Sequence, residues 1–322
     1  MVGSIAALEE SYWLCPLCNF RSYPDNVDFD KGFQIKSAWQ ELKEEILICY
    51  PDWAAGESFD YMVMMPQSER FGLEIRPVNK VLEIIKIHKE LFKFVTALRL
   101  CNNGRIILGP LVSAQPMFEP TEAKYSFETY GWQNVPTEFG YLYGFIDLTK
   151  PQARYAFNKP IYRLRKSDIP LINKTMHNID ACLESTDCHS LYEILRRFNS
   201  SYYSNFENRL IDHMIAFESL YIADDKELGY KLALRTAFLL GKNRTKIFND
   251  MKKAYDLRGQ IVHGSKPADR AKLEETVPKT EDYLRRSIQK FLFLSKKYPI
   301  SEISKRLDEN ILKSGKPLAI KE

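Results

Sequence analysis

The chain has 322 residues, room for two domains of about 150 residues with a core in each, which excludes a single small disulfide-stapled module. Hydrophobic residues make up 45% and charged residues 27%, close to globular averages, so a disordered, collagen-like or mucin-like chain is also excluded. The net charge of +4 hides an asymmetry: residues 1–150 carry 14 Lys and Arg against 20 Asp and Glu, and residues 151–322 carry 32 against 22, so a polyanionic partner is expected on the second half.

From the N-terminus, the sequence reaches Glu9 and Glu10 without a basic patch or a long apolar segment, so no secretory signal is expected. No run approaches the roughly 18 apolar residues of a membrane span. A cytoplasmic protein with reduced thiols and no membrane contact is the expectation. Cys15 and Cys18, in Cys-Pro-Leu-Cys, have the spacing of half a zinc ribbon. No second Cys-x2-Cys exists, so a metal would need Cys49, Cys101 or a second chain to complete its ligands, and two buried thiols are the plainer reading. No cofactor motif is present.

Helical spacing marks Trp39–Tyr50 and Val78–Cys101, the second closed by Asn102-Asn103-Gly104. Runs rich in Tyr, Phe, Ile and Val predict strands over Asp60–Met65, Phe71–Val78, Arg105–Ser113, Lys124–Tyr130, Gly140–Leu148 and Arg154–Arg165. Residues 1–160 therefore read as an α+β domain with a mostly antiparallel sheet, since strands follow one another without helices between. They carry no phosphate loop, serine elbow or paired-carboxylate motif, and their role is open, a sensor or regulatory one included.

Residues 161–322 read as an all-α helical bundle without internal repeats. Helices are expected from Ser167-Asp168 to about Leu183, then over His189–Phe198, Phe206–Ile222, Lys226–Leu240, Thr245–His263, Ala268–Lys297 and Ser301–Lys313. The basic tail, Lys305 to Lys321, reads as a solvated helix face, with a hold on nucleic acid as the alternative. Tyr202, Tyr203 and Tyr255 read as packing residues rather than base-stacking platforms.

Three charges interrupt apolar stripes. Glu218 falls among Ile211, Met214, Ile215, Tyr221 and Ile222; Arg235 among Leu228, Leu232 and Leu239; Arg258 among Ile247, Met251, Tyr255 and Val262. Buried charges need partners, and a Glu218 carboxylate bridging to Arg235, to Arg258 or to both is the economical arrangement. His263 follows Arg258 by five residues and precedes Gly264-Ser-Lys-Pro267. It thus ends a helix, where the dipole favours positive charge. That spacing sets the two side chains about 140° apart around the helix, on either side of Tyr255, Gly259 and Val262. An Arg that holds phosphate oxygens beside a His that moves a proton suits phosphodiester chemistry without a metal.

The run Ile215-Ala-Phe-Glu-Ser-Leu-Tyr221, the run Glu227-Leu-Gly-Tyr-Lys-Leu-Ala-Leu-Arg-Thr-Ala-Phe-Leu-Leu240 and the run Tyr255-Asp-Leu-Arg-Gly-Gln-Ile-Val-His-Gly264 together resemble the Apea-like branch of the HEPN superfamily, over residues 205–300. The resemblance implies a helical domain that pairs with its own copy. In active members it implies a metal-independent endoribonuclease, often used in anti-phage abortive infection. Arg258 and His263 match the catalytic positions of the family, and Glu218 and Arg235 its supporting ones. Gly259 is the departure, since many active members carry a polar residue there. Attack by a ribose 2′-OH needs one group to take a proton and another to give one. A homodimer supplies two histidines, and RNA is the expected partner. Two other readings stay open: a non-catalytic HEPN module that binds RNA, nucleotide or a protein, and a zinc-dependent adaptor centred on Cys15 and Cys18.

Overall fold

The computed structural model describes residues 12–40, 42–44, 59–66, 77–109, 111–116, 125–130, 160–184, 188–222, 227–264 and 269–314. Its N-terminal part is rich in strands and the remainder is mostly helical. Two compact units result: Met1–Val95 with Gly104–Asn173, and Thr96–Asn103 with Lys174–Glu322.

In the first unit, β1 (Tyr12–Cys18) is the centre of a seven-stranded antiparallel sheet. It is flanked by β5 (Tyr61–Pro66) on one edge, and by β6 (Ile107–Leu108) and β7 (Leu111–Pro116) on the other. Outward from β5 lie β4 (Gln34–Ser37) and β3 (Val27–Asp28), and β8 (Tyr125–Tyr130) pairs with β7. A separate parallel pair joins β2 (Phe20–Ser22) to β9 (Tyr162–Leu164), with the Phe20 and Tyr162 rings stacked at 5.5 Å.

The sequence reading misses β1 because every residue after Tyr12 is buried. A strand covered on both faces has no apolar-polar alternation to reveal it. Pro16 sits in this central strand where β6 and β7 separate, and the Gly109 N–H donates to its carbonyl at 2.9 Å. The missing donor of proline therefore falls at a break in the ladder. The same break divides the strand expected over Arg105–Ser113 into β6 and β7.

Helix α1 (Pro77–Cys101) begins where the sequence predicts the end of a strand: Pro77 and Val78 open the helix, and residues 71–76 lie outside the described residues. Phe94 of α1 stacks on Phe33 at 4.6 Å and meets Phe29 edge-on at 5.0 Å. Helix is present at Gln40 and over 42–44. Trp39 is described and is not helical; residues 41 and 45–50 of the expected Trp39–Tyr50 helix, the Gly140–Leu148 strand and the start of the Arg154–Arg165 strand lie outside the described residues.

The helices of the second part are α2 (Ile169–Leu183), α3 (Cys188–Ser200), α4 (Phe206–Tyr221), α5 (Leu228–Leu240), α6 (Arg244–His263), α7 (Arg270–Leu294) and α8 (Ile300–Ser314). Asn205 caps α4 by accepting from Asn208 N–H, and Asp269 caps α7 by accepting from Ala271 and Lys272 N–H. The core of α4 is Leu210, Met214, Phe217, Leu220 and Tyr221. Tyr221 meets Phe291 of α7 edge-on at 5.2 Å and donates to Ser287 Oγ at 2.8 Å. Several polar groups of the bundle interior are paired: Arg209 with Glu281, Arg197 with Asp212, and His213 with Thr280 Oγ1 at 3.0 Å and Ser201 Oγ at 3.1 Å. Among the described residues, no helix is long and apolar enough to cross a membrane.

Candidate functional site

The third apolar stripe is rotated from its sequence-based position. On α6 the buried residues are Ile247, Met251, Ala254 and Leu257, a run at helical spacing that leaves Tyr255 and Arg258 at its margin and Val262 half exposed. On α4, Glu218 is likewise marginal, while Leu210, Met214 and Phe217 form the core face. Of the three charges expected to point inward, only Arg235 is buried.

Glu218 and Arg258 meet across α4 and α6. Glu218 Oε2 lies 3.9 Å from Arg258 Nη2, and the side chains are 24% and 25% exposed. That distance is an ion pair without a hydrogen bond. Arg258 Nε finds no hydrogen-bond partner among the described residues. Tyr255, one turn before Arg258, completes the cluster. Burial pushes its phenol above the ordinary value, the Glu218 carboxylate adds to the rise, and the Arg258 cation opposes it.

Gly229 of α5 makes room for Tyr255. A Cβ at position 229 would lie 2.7 Å from Cδ1 of the tyrosine ring, so the ring occupies the space that any larger residue needs. At Gly259, on the outer side of α6, a Cβ would meet nothing within 4 Å. The backbone there is open to approach.

His263 occupies the last position of α6 and is exposed. Gly264 ends the helix with φ of 62°, and its N–H donates to the carbonyls of Gln260 and Ile261, a turn that glycine adopts without Cβ strain. No hydrogen bond or ion pair fixes the imidazole among the described residues. Five residues of helical rise separate it from Arg258 by about 7.5 Å along the axis.

Arg235 stands apart from this cluster. Its Nε and Nη2 donate to the two carboxylate oxygens of Asp308 on α8, at 2.9 and 2.6 Å, and Nη1 donates to the Tyr221 carbonyl. Ser304 Oγ, one turn before Asp308, donates to the Leu220 carbonyl at 3.3 Å. Carbonyls in the last turn of a helix lack intrahelical donors, so α5 and α8 together close the end of α4 that carries Glu218. The sequence reading missed Asp308 because the tail reads as a basic solvated face. The usable signal was the i, i+4 pair Ser304 and Asp308 beside the stripe Ile300, Ile303 and Leu307.

Cys15 and Cys18 lie in β1, both buried. Positions i and i+3 of a strand face opposite sides of a sheet. The Cys15 thiol is 3.4 Å from the Gly109 carbonyl, and burial pushes its pKa up. Among the described residues no three His, Cys, Asp or Glu side chains are grouped to hold a metal ion. Cys101 contacts Thr175 Oγ1 at 3.3 Å, and Cys49 lies outside the described residues.

Comparison of the chain with protein-family models, with curated proteins and with solved structures finds no match.

Proposed function

We propose that this chain is a HEPN-like, metal-independent endoribonuclease that acts as a homodimer in the cytoplasm, with anti-phage abortive infection as its setting. Arg258 holds the scissile phosphate, and His263 and its symmetry mate move the protons. The single observation that carries the reading is the state of Arg258. Its guanidinium sits at 3.9 Å from one carboxylate, its Nε has no hydrogen-bond partner among the described residues, and the open backbone at Gly259 lies between it and the exposed His263. A phosphate supplies the acceptors such a guanidinium lacks. Glu218 and Tyr255 hold the cation in place, and Arg235 acts at one remove by securing the end of α4.

In this reading the 2′-OH attacks the adjacent phosphorus. One imidazole accepts its proton, and the second donates a proton to the departing 5′ oxygen. DNA, lacking that hydroxyl, survives. Purified protein in excess chelator is expected to cut single-stranded RNA and spare DNA, and His263→Ala to abolish cutting with the circular dichroism spectrum unchanged. Full cleavage by that variant rules the mechanism out.

A non-catalytic module that binds RNA, nucleotide or a protein is the second reading. Gly259 favours it, because the residue after Arg258 carries no polar side chain to orient the reacting groups. Saturable RNA binding by the wild-type chain without turnover selects it.

A further inference from the structure

Tyr230, in the first turn of α5, is 53% exposed although it is a large aromatic residue. Its ring is braced rather than loose: Phe248 of α6 meets it edge-on, with centroids 5.6 Å apart and planes at 80°. Next to it, Gly229 lets α5 press against the Tyr255 ring, which fixes the backbone that carries Tyr230. An aromatic ring braced by one perpendicular neighbour, with about half of its residue surface wet, is suited to receive a second flat group.

The charge around the ring says which group. Phe248, Lys252, Tyr255 and Gly259 follow one another on a single face of α6 by helical periodicity. Lys252 is exposed on that face, and Arg258 and His263 lie farther along the same helix. Aromatic and cationic side chains thus alternate toward the candidate site, the arrangement that follows a single-stranded nucleic acid. An apolar protein surface laid over the same face would have to cover the Lys252 ammonium.

We infer that Tyr230 is a stacking subsite for an unpaired RNA base, several nucleotides away along the strand from the phosphate held by Arg258. The inference rests on the ribonuclease reading and adds a substrate-binding position to it. Ten residues separate Phe248 from Arg258, about 15 Å of helical rise. A dinucleoside monophosphate keeps both bases beside the phosphate at Arg258, whereas a strand of several nucleotides spans that length of helix.

The test uses the full chain in chelator, with a mixed-sequence single-stranded RNA of roughly ten nucleotides and a dinucleoside monophosphate as probes. Tyr230→Ala is expected to raise KM or Kd for the longer RNA by at least about fivefold, the lower bound for loss of one base stack. It is expected to leave kcat, and all cleavage of the short probe, unchanged. Tyr230→Trp is expected to retain affinity, with its added fluorescence quenched by the longer RNA alone. Unchanged affinity of Tyr230→Ala, in a wild-type background that does bind and cut RNA, overturns the subsite and leaves the ribonuclease reading standing. A defect confined to self-association in sedimentation also overturns it, since the ring then contacts a second copy. Wild-type protein that neither binds nor cuts RNA overturns both.

Discussion

Arg235 and Asp308 form a bidentate pair between α5 and α8, with the guanidinium 5% and the carboxylate 43% exposed. The third arm of the same guanidinium reaches the Tyr221 carbonyl at the end of α4. One side chain thereby ties three helices together, three residues along the chain from Glu218. Tyr221 follows Glu218 by three residues, so the end of α4 that carries Glu218 is held by a residue of the tail helix.

Removing Asp308 leaves a buried guanidinium with the Tyr221 carbonyl as its remaining partner. Breaking a buried pair typically costs 3–5 kcal/mol, and the partial exposure of Asp308 admits water that offsets some of this. Asp308→Ala is expected to lower unfolding free energy by about 2–3 kcal/mol, read from urea denaturation. Asp308→Glu should recover part of the loss. A change below about 0.5 kcal/mol, the ordinary range for a surface substitution, would contradict the assignment.

The two helical glycines give opposite outcomes for one substitution. Gly259→Ala adds a methyl group into open space and improves helix propensity, so a gain of up to about 1 kcal/mol is expected. Gly229→Ala drives a methyl group against the Tyr255 ring, and overpacking of this kind costs roughly 1–3 kcal/mol. Coupling to Tyr255→Ala identifies the cause: the double variant should lose less than the two single losses combined. Equal melting temperatures for the two alanine variants would remove the argument.

Legibility in the sequence followed burial. The bundle helices were readable because an apolar stripe at 3.6-residue spacing survives on a half-buried helix, and α5 and α6 start within two residues of the expected positions. The stripe on α4 was misplaced because Arg209, Asp212 and His213 are buried there. A pattern that counts only apolar residues puts these three outside. Arg235 was legible as a buried charge, but its partner was not, since pairing depends on the packing of α8. Glu218 and Arg258 are legible as candidate neighbours through the need of charges for partners, with Arg235 an equal candidate in the sequence. Nothing in the sequence marks Gly229, for contact with Tyr255 is a property of two packed helices and not of either segment alone.

Glu218→Gln separates electrostatic positioning from stability. The ion pair with Arg258 is long and about a quarter exposed, so it contributes at most about 1 kcal/mol, and the melting temperature is expected to change little. The Tyr255 phenol should respond. A neighbouring carboxylate disfavours phenolate, so its removal lowers the pKa of Tyr255 toward the ordinary tyrosine value, with burial still holding it somewhat above. Carbon-13 tyrosine NMR titration, with the resonance assigned by Tyr255→Phe, measures the shift. A rise in the pKa, or no movement, would mean that the carboxylate faces elsewhere.

Cys15 and Cys18 provide the test of metal removal. Both thiols are buried in the central strand of the sheet, and desolvation holds the Cys15 thiol in its unreactive protonated form. Native protein is expected to leave Cys15 and Cys18 unmodified by a thiol reagent at neutral pH, and to expose them only in denaturant. Since a strand directs these two side chains to opposite faces, overnight dialysis against chelator should not shift the melting temperature, and metal analysis should find zinc well below one per chain. Stoichiometric zinc whose removal melts the first unit would revive the adaptor reading, because a structural zinc site contributes directly to folding stability.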